Sequence, residues 1–251
     1  MAAETGRAMG SRRATRISVV AALSVERAGL DKTHPGAAEI TFHQSGPGAE
    51  RAEATARAAV AAGADALLAW GLAGGLVTNL SPGDVVLPER GLVPAGGEWH
   101  AEPRWHAALT ALLGASFVLH TGPLVTAAEV VASPRDKRAM AQSLSAIAVD
   151  MESAAVAAVA AEAGVPFAAV RVVADTSADA LPADVAKWID ASGNRRVLPF
   201  LGAAVAPAEW PALLKLASRY RVARRTLEAV ARSLLPSGFC VSHVAARAHR
   251  S

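Results

Sequence analysis

The chain has 251 residues, 52% of them hydrophobic and only 4% aromatic, enough apolar material for one large α/β domain or two small ones and too much for a disordered segment. Its net charge of +3 is local, in Arg7, Arg12, Arg13 and Arg16 and again in Arg219, Arg221, Arg224, Arg225 and Arg232, and without interleaved aromatics it does not suggest nucleic-acid binding. A single cysteine, Cys240, excludes an internal disulfide, the seven histidines lack metal-ligand spacing, and no apolar run reaches the roughly 20 residues of a membrane span, so neither metal nor cofactor is expected.

Residues 1–15 read as a disordered leader. Its Ser11-Arg12-Arg13 ahead of Ile17 to Leu23 superficially matches a twin-arginine export signal, but the apolar run is short and Glu26 follows it closely. A buried first strand, about Arg16 to Leu23, explains it better, and a cytoplasmic protein is expected. A second strand, Glu39 to Gln44, leads into Ser45-Gly46-Pro47-Gly48, followed by an alanine-rich helix from Ala49 to Ala62 closed by Gly63. The next strand, Ala64 to Leu72, opens onto the glycine loop Gly71-Leu72-Ala73-Gly74-Gly75-Leu76. Neither glycine-rich turn has the spacing of a dinucleotide fingerprint or a P-loop. Pro82-Gly83-Asp84 then turns into a strand from Val85 to Pro88. Pro103 to Leu113 predicts a helix, Phe117 to Val131 an extended segment, and Ser133-Pro134 the capped start of another helix.

The stretch Ala146 to Asp179 is the centre of the chain. A short apolar run ends in Asp150-Met151-Glu152. An alanine-rich helix follows to Ala163, stopped by Gly164 and Pro166, and a second apolar run, Phe167 to Ala174, delivers Asp175. This pattern predicts two parallel strands side by side, with Glu152 and Asp175 at the carboxyl ends that line the crevice of such sheets. A period of two places Arg171, Val173 and Asp175 on one face. Acids at strand ends often cap the following helix, and spacing alone does not separate that role from a site with one acid ionised and another protonated.

Beyond the centre, Pro182 to Asp190 predicts a helix carrying Trp188, and Trp210 to Leu235 an amphipathic basic helix pair. Its apolar stripe fits packing on the sheet, and its arginines fit either solvent or an anionic membrane surface, a possible peripheral contact. From Pro236 the chain is expected to fray into a flexible tail over 236–251.

Taken together, several of these segments resemble the purine nucleoside phosphorylase and methylthioadenosine/adenosylhomocysteine nucleosidase superfamily, in that family's order. They are Ala21 to Glu26, Ser45 to Gly48, Gly71 to Leu76, Pro82 to Val86, Val149-Asp150-Met151-Glu152 and Val170 to Asp175. The resemblance implies a single α/β domain over 16–235, with a mixed twisted central sheet flanked by helices. The tail beyond residue 180 looks like the hopanoid-biosynthesis-associated branch, which removes adenine from adenosylhopane.

Carried over residue by residue, the resemblance gives Asp175 the role of the acid that protonates the five-membered ring of the leaving base. Glu152 becomes the carboxylate that accepts both ribose hydroxyls, and Met151 packs on the ribose. Gly71, Leu72 and Ala73 line the pocket, and Arg171 anchors the ribose or a solvent network. Glu26 falls where the nucleosidases carry the water-activating carboxylate, while Ala69 stands where the phosphorylases place a phosphate-binding arginine. Leu72 replaces a hydroxyl residue of many relatives, and Val130 and Val131 occupy the segment of a base-stacking aromatic, which makes the pocket more apolar. The implied reaction is hydrolytic N-glycosidic cleavage of a small-molecule nucleoside, by a homo-oligomer. Phosphorolysis, a methylthioadenosine/adenosylhomocysteine nucleosidase, and a non-catalytic nucleoside or lipid binder are the alternatives.

Overall fold

The computed structural model describes residues 15–27, 30, 38–182, 192–194 and 210–243. The expected leader, nearly all of the helix expected from Pro182 to Asp190, and the end of the tail lie outside the described residues.

Three parallel strands form the backbone of the sheet: β1 (Thr15–Ala21) lies between β2 (Ala38–Gln44) and β3 (Ala66–Gly75). Five short strands follow, β4 (Val85–Val86), β5 (Arg90–Leu92), β6 (Glu98–His100), β7 (Leu119–His120) and β8 (Leu124–Thr126), then β9 (Ala148–Asp150) and β10 (Phe167–Asp175). They join in one mixed ten-stranded sheet, ordered β6-β5-β8-β9-β3-β10-β4-β7, with β1 and β2 attached at β3. The fold is therefore a single α/β domain with a mixed central sheet, as the sequence implies.

The helices cover both faces. On β3 the alternation sends Ala66, Leu68 and Trp70 to one side and Leu67, Ala69 and Ala73 to the other. The first side packs against α2 (Pro103–Leu113), through Trp105 and Leu109, and against α5 (Trp210–Leu234), through Leu227, Val230 and Leu234. The second packs against α1 (Ala49–Ala61) and α4 (Ser153–Ala163), which present small residues such as Ala52, Ala56, Ala59 and Ala160. Remaining is α3 (Pro134–Leu144), capped by Ser133, whose Oγ accepts from Asp136 N at 3.0 Å. Each fully buried large side chain on these faces contributes about 1.5–3 kcal/mol.

Several expectations need correction. The glycine run 71–75 is not a loop but the last half of β3, because glycine lets three strands crowd this end. The strand pairs with β1 along Ala66 to Trp70 and then with β9, antiparallel, at Gly74 and Gly75, while β10 follows its other edge. Hence β9 and β10 are not parallel neighbours: β3 lies between them, and α4 carries the chain across it. A register slip between Val173 and Asp175 also breaks the alternation expected to run from Arg171 through Asp175. The segment Phe117 to Val131 contains two separate short strands, β7 and β8. The expected helix pair is one continuous helix, α5, since no glycine or proline interrupts it after Pro211.

The chain does not fray over 236–243 either. It closes α5 with a 3-10 segment, Leu235–His243, turning through positive φ at Gly238, Phe239 and Cys240. Phe239 is fully buried and meets Trp70 edge-on at 5.9 Å, while its carbonyl accepts from Trp105 Nε1 at 2.6 Å. Among the described residues, no helix is long and apolar enough to cross a membrane.

Candidate active site

The glycine end of β3 is the floor on which the charged residues assemble. Glu26, in a 3-10 turn (Ser24–Arg27) after β1, is buried, and each of its carboxylate oxygens is held by a backbone amide. Leu23 N donates to Oε2 at 2.8 Å and Leu72 N to Oε1 at 2.9 Å, while Trp70 Nε1 secures the Glu26 carbonyl at 2.9 Å. Gly71 has φ +149°, and a Cβ there would lie 2.4 Å from Glu26 Oε1 and 2.8 Å from an Arg171 guanidinium nitrogen. Only glycine lets the carboxylate and the guanidinium face each other across this strand. Burial raises the Glu26 pKa above the ordinary value, opposed by Arg171 and by the backbone amides.

Arg171 is also buried, and its fork is committed to structure. Nη2 pairs with Asp150 Oδ2 at 2.5 Å, and Nε and Nη2 donate to Ser153 Oγ at 3.3 and 2.9 Å. Asp150 is held in turn by Thr126 Oγ1 at 2.7 Å and by Ser153 N at 3.0 Å. The helix-capping role open to the strand-end acids therefore falls to Asp150. Glu152 makes no capping hydrogen bond to α4 but accepts from Gly48 N at 2.9 Å, which ties the Ser45-Gly46-Pro47-Gly48 turn to the site. Burial first, and Asp150 next, push the Glu152 carboxyl up to about 7, with Arg171 and the Gly48 amide pulling it down.

Asp175 lies farther along the same strand floor, paired in register with Gly74, whose added Cβ would sit 3.4 Å from both carboxylate oxygens. From Gly71 to Gly74 an extended strand covers about 10 Å. Asp175 is buried but does not cap the turn that follows. Asp179 does, accepting from Thr176 N at 2.8 Å and Thr176 Oγ1 at 2.7 Å, and it is paired with Arg219 of α5 and with Lys215 at 3.6 Å. Asp175 instead forms an ion pair with Lys137 of α3, which is wholly buried. Burial raises the Asp175 pKa, while Lys137 and Arg219 oppose that rise.

The remaining expected residues lie around this core. Leu72 and Met151 are half-buried and Ala73 is buried. Val130 and Val131 are half-buried between β8 and α3, where Val131 packs against the cluster containing Leu76, Val125 and Val149. Leu181 N bonds Ala132 O at 2.9 Å, which joins that segment to the chain beyond Asp175. Sequence reasoning missed Asp150, Ser153 and Thr126 as the setting of Arg171, and it missed Lys137 altogether. Asp150 carried a signal, standing two residues before Glu152 at the same strand end. Lys137 carried none, since in sequence it is one more cation beside Arg135 and Arg138. Among the described residues no group of three or more histidine, cysteine or acidic side chains is arranged to hold a metal ion.

The chain belongs to the phosphorylase superfamily, whose family model matches residues 23–198. No curated protein matches it. Solved structures share the fold at low identity. One is an S-adenosylhomocysteine nucleosidase from Streptococcus pyogenes in complex with 5-methylthiotubericidin, with a TM-score of 0.68 at 20% identity, covering 91% of this chain and 99% of that one. A 5′-methylthioadenosine/S-adenosylhomocysteine nucleosidase from Helicobacter pylori gives 0.64 at 17% identity, over 93% of this chain and 99% of its own. The futalosine hydrolase of the same organism gives 0.63 at 17%, over 92% and 97%.

Proposed function

We propose that this phosphorylase-superfamily member hydrolyses the N-glycosidic bond of a 5′-substituted adenosine, releasing adenine, and that its substrate is adenosylhopane. The observation that carries hydrolysis is the setting of Glu26. Its two oxygens point to backbone amides at the floor of the site, and the adjacent Arg171 is spent on Asp150 and Ser153. Such a floor suits a water molecule with a general base, and among the described residues the cation facing Glu26, Arg171, is already engaged. The nucleosidases and the hydrolase among the similar structures agree with this choice.

In this reading Glu26 takes a proton from water as the water oxygen bonds to the ribose anomeric carbon. The bond from that carbon to the base breaks, and Asp175 delivers a proton to the five-membered ring of the leaving adenine. Glu152, ionised, accepts the ribose hydroxyls and stabilises positive charge developing on the sugar. Met151 packs on the ribose, and Gly71, Leu72 and Ala73 wall the pocket. Val130 and Val131 give it an apolar side suited to a large, greasy 5′-group. The exposed Leu214, Val222, Arg221, Arg224 and Arg225 of α5 suit collection of such a substrate from an anionic membrane surface.

The test is adenine release, followed by chromatography, from adenosylhopane, methylthioadenosine and adenosylhomocysteine, in phosphate-free buffer and with added phosphate. Release from adenosylhopane that is indifferent to phosphate is expected. A strict phosphate requirement refutes hydrolysis and establishes the phosphorolytic alternative. Preference for methylthioadenosine or adenosylhomocysteine refutes the hopane substrate.

A further inference from the structure

Lys137 is the buried charge that the proposed reaction leaves without a task. An ammonium group has three N–H donors, and here three acceptors meet them: Asp175 Oδ2, Thr176 O at 2.9 Å and Asp179 O at 3.0 Å. The cation is thus fully satisfied without water. It lies against the very acid that must donate a proton, and an ion pair leaves that acid ionised. Burying an ammonium costs several kcal/mol before its partners offset it, and an apolar side chain of similar volume often serves stability as well. Stapling the 176–179 turn does not by itself require a charge touching Asp175.

We propose that Lys137 is a positioning residue that loads Asp175: its ammonium passes one proton to the Asp175 carboxylate when substrate fills the site, and that proton then leaves with the base. The inference rests on the nucleosidase reading. When bound substrate excludes water, the low dielectric favours the neutral pair, amine and carboxylic acid, over the two ions. Asp175 gives its proton to the ring nitrogen as the glycosidic bond breaks and returns to carboxylate, and Lys137 recovers a proton from solvent after adenine departs. The proton taken from water by Glu26 leaves to solvent, so the net reaction consumes only water. Among the described residues, the other charges near the pair are Asp179, whose backbone carbonyl accepts from Lys137, and Arg219 of α5, which with Lys215 is paired to the Asp179 carboxylate. None of them takes the place of the Lys137 proton at Asp175 Oδ2.

The experiment compares Lys137→Met and Lys137→Arg with the wild type on the adenosine substrate and on 4-nitrophenyl riboside, whose leaving group departs without a proton. Arginine can keep the ion pair but, staying charged, cannot hand over a proton. The expected result is a loss of about 100-fold or more in adenine release for both variants, with nitrophenyl riboside cleavage within a few-fold of wild type. In both variants, adenine release should also fall tenfold per pH unit on the alkaline side, because Asp175 must then be loaded from solvent. Full rescue by arginine, an equal loss on both substrates, or an unchanged pH profile overturns the inference. Should neither variant fold, the wild-type profile decides: release flat between about pH 7 and 9 supports internal loading, and a first-order fall there overturns it. Failure of the nucleosidase reading shows separately, as a wild type that cleaves neither substrate, and it takes the role of Lys137 with it.

Discussion

Glu152→Gln should make the ligand-free protein more stable at alkaline pH while disabling it. The Glu152 carboxyl is pushed up to about 7 by burial and by Asp150, against 4.5 for an ordinary glutamate. Between those values the folded state keeps a proton that the unfolded chain has lost. Stability therefore falls as pH rises from about 4.5 through 7 and levels off above that. The difference corresponds to at most about 3 kcal/mol of ionisation penalty in the folded protein above pH 7. Glutamine has the same shape, can still accept from Gly48 N, and carries no such penalty. Denaturant or thermal unfolding of both proteins at several values from pH 4.5 to 8 checks this. The variant should gain up to about 3 kcal/mol at pH 8, on the order of 6–12 °C in Tm for a chain of this size, and nothing at pH 4.5. Asp175 titrates in both proteins, so the difference curve reports Glu152 together with its coupling to Glu26. Adenine release should drop about 100-fold, since an amide presents a donor where the ribose hydroxyls need an acceptor. A variant no more stable than its parent at pH 8, or an offset independent of pH, refutes the reasoning.

Glu26→Gln should lower kcat by about 100-fold to 10,000-fold with little change in Tm, because glutamine can keep one of the two backbone amide contacts. In the wild type, kcat/KM should fall as pH drops through the raised Glu26 pKa, since only the ionised carboxylate can accept a proton from water; this limb should be missing from the residual activity of the glutamine variant. Gly71→Ala should cost about 1–3 kcal/mol in backbone strain and also abolish activity, because the new methyl occupies the gap between Glu26 and Arg171; urea unfolding and turnover measure the two effects. Phe239→Ala should destabilise by about 3–5 kcal/mol in the same unfolding assay, a loss no fraying tail would produce.

How far the sequence could be read depended on the range of the interaction involved. Helix limits set by caps and breakers came through closely: Pro103–Leu113 as expected, Pro134–Leu144 behind Ser133, and Ser153–Ala163 stopped by Gly164. The paired strands were harder. A glycine run reads locally as a turn, and nothing in 71–75 announces that β9 and β10 flank it. The assignments of Glu26, Glu152 and Asp175 came from family resemblance, since spacing alone left Glu152 and Asp175 free to be helix caps. The structure assigns capping to Asp150 and Asp179 instead. Lys137 was illegible because its meaning arises only where α3 meets the turn after β10, a contact across 38 residues of chain.

That division among the carboxylates follows from electrostatics. Asp150 and Asp179 carry the caps and take the arginines, so neither Glu152 nor Asp175 is pinned by a guanidinium fork. Glu152 keeps one backbone amide, and the charge of Arg171 reaches it only at a distance, partly offset by Asp150 and Glu26. An acid left so poorly compensated is costly in the empty protein. It is also the group that gains most when a sugar bearing positive charge comes within reach, because a buried ion interacts strongly with whatever completes its pairing. Had Arg171 paired with Glu152 instead of Asp150, the fold would be better satisfied and the ribose would find a neutralised partner. In the proposed reaction, the placement of one arginine, fixed by Asp150 and Ser153, is therefore what keeps a negative charge available to the sugar.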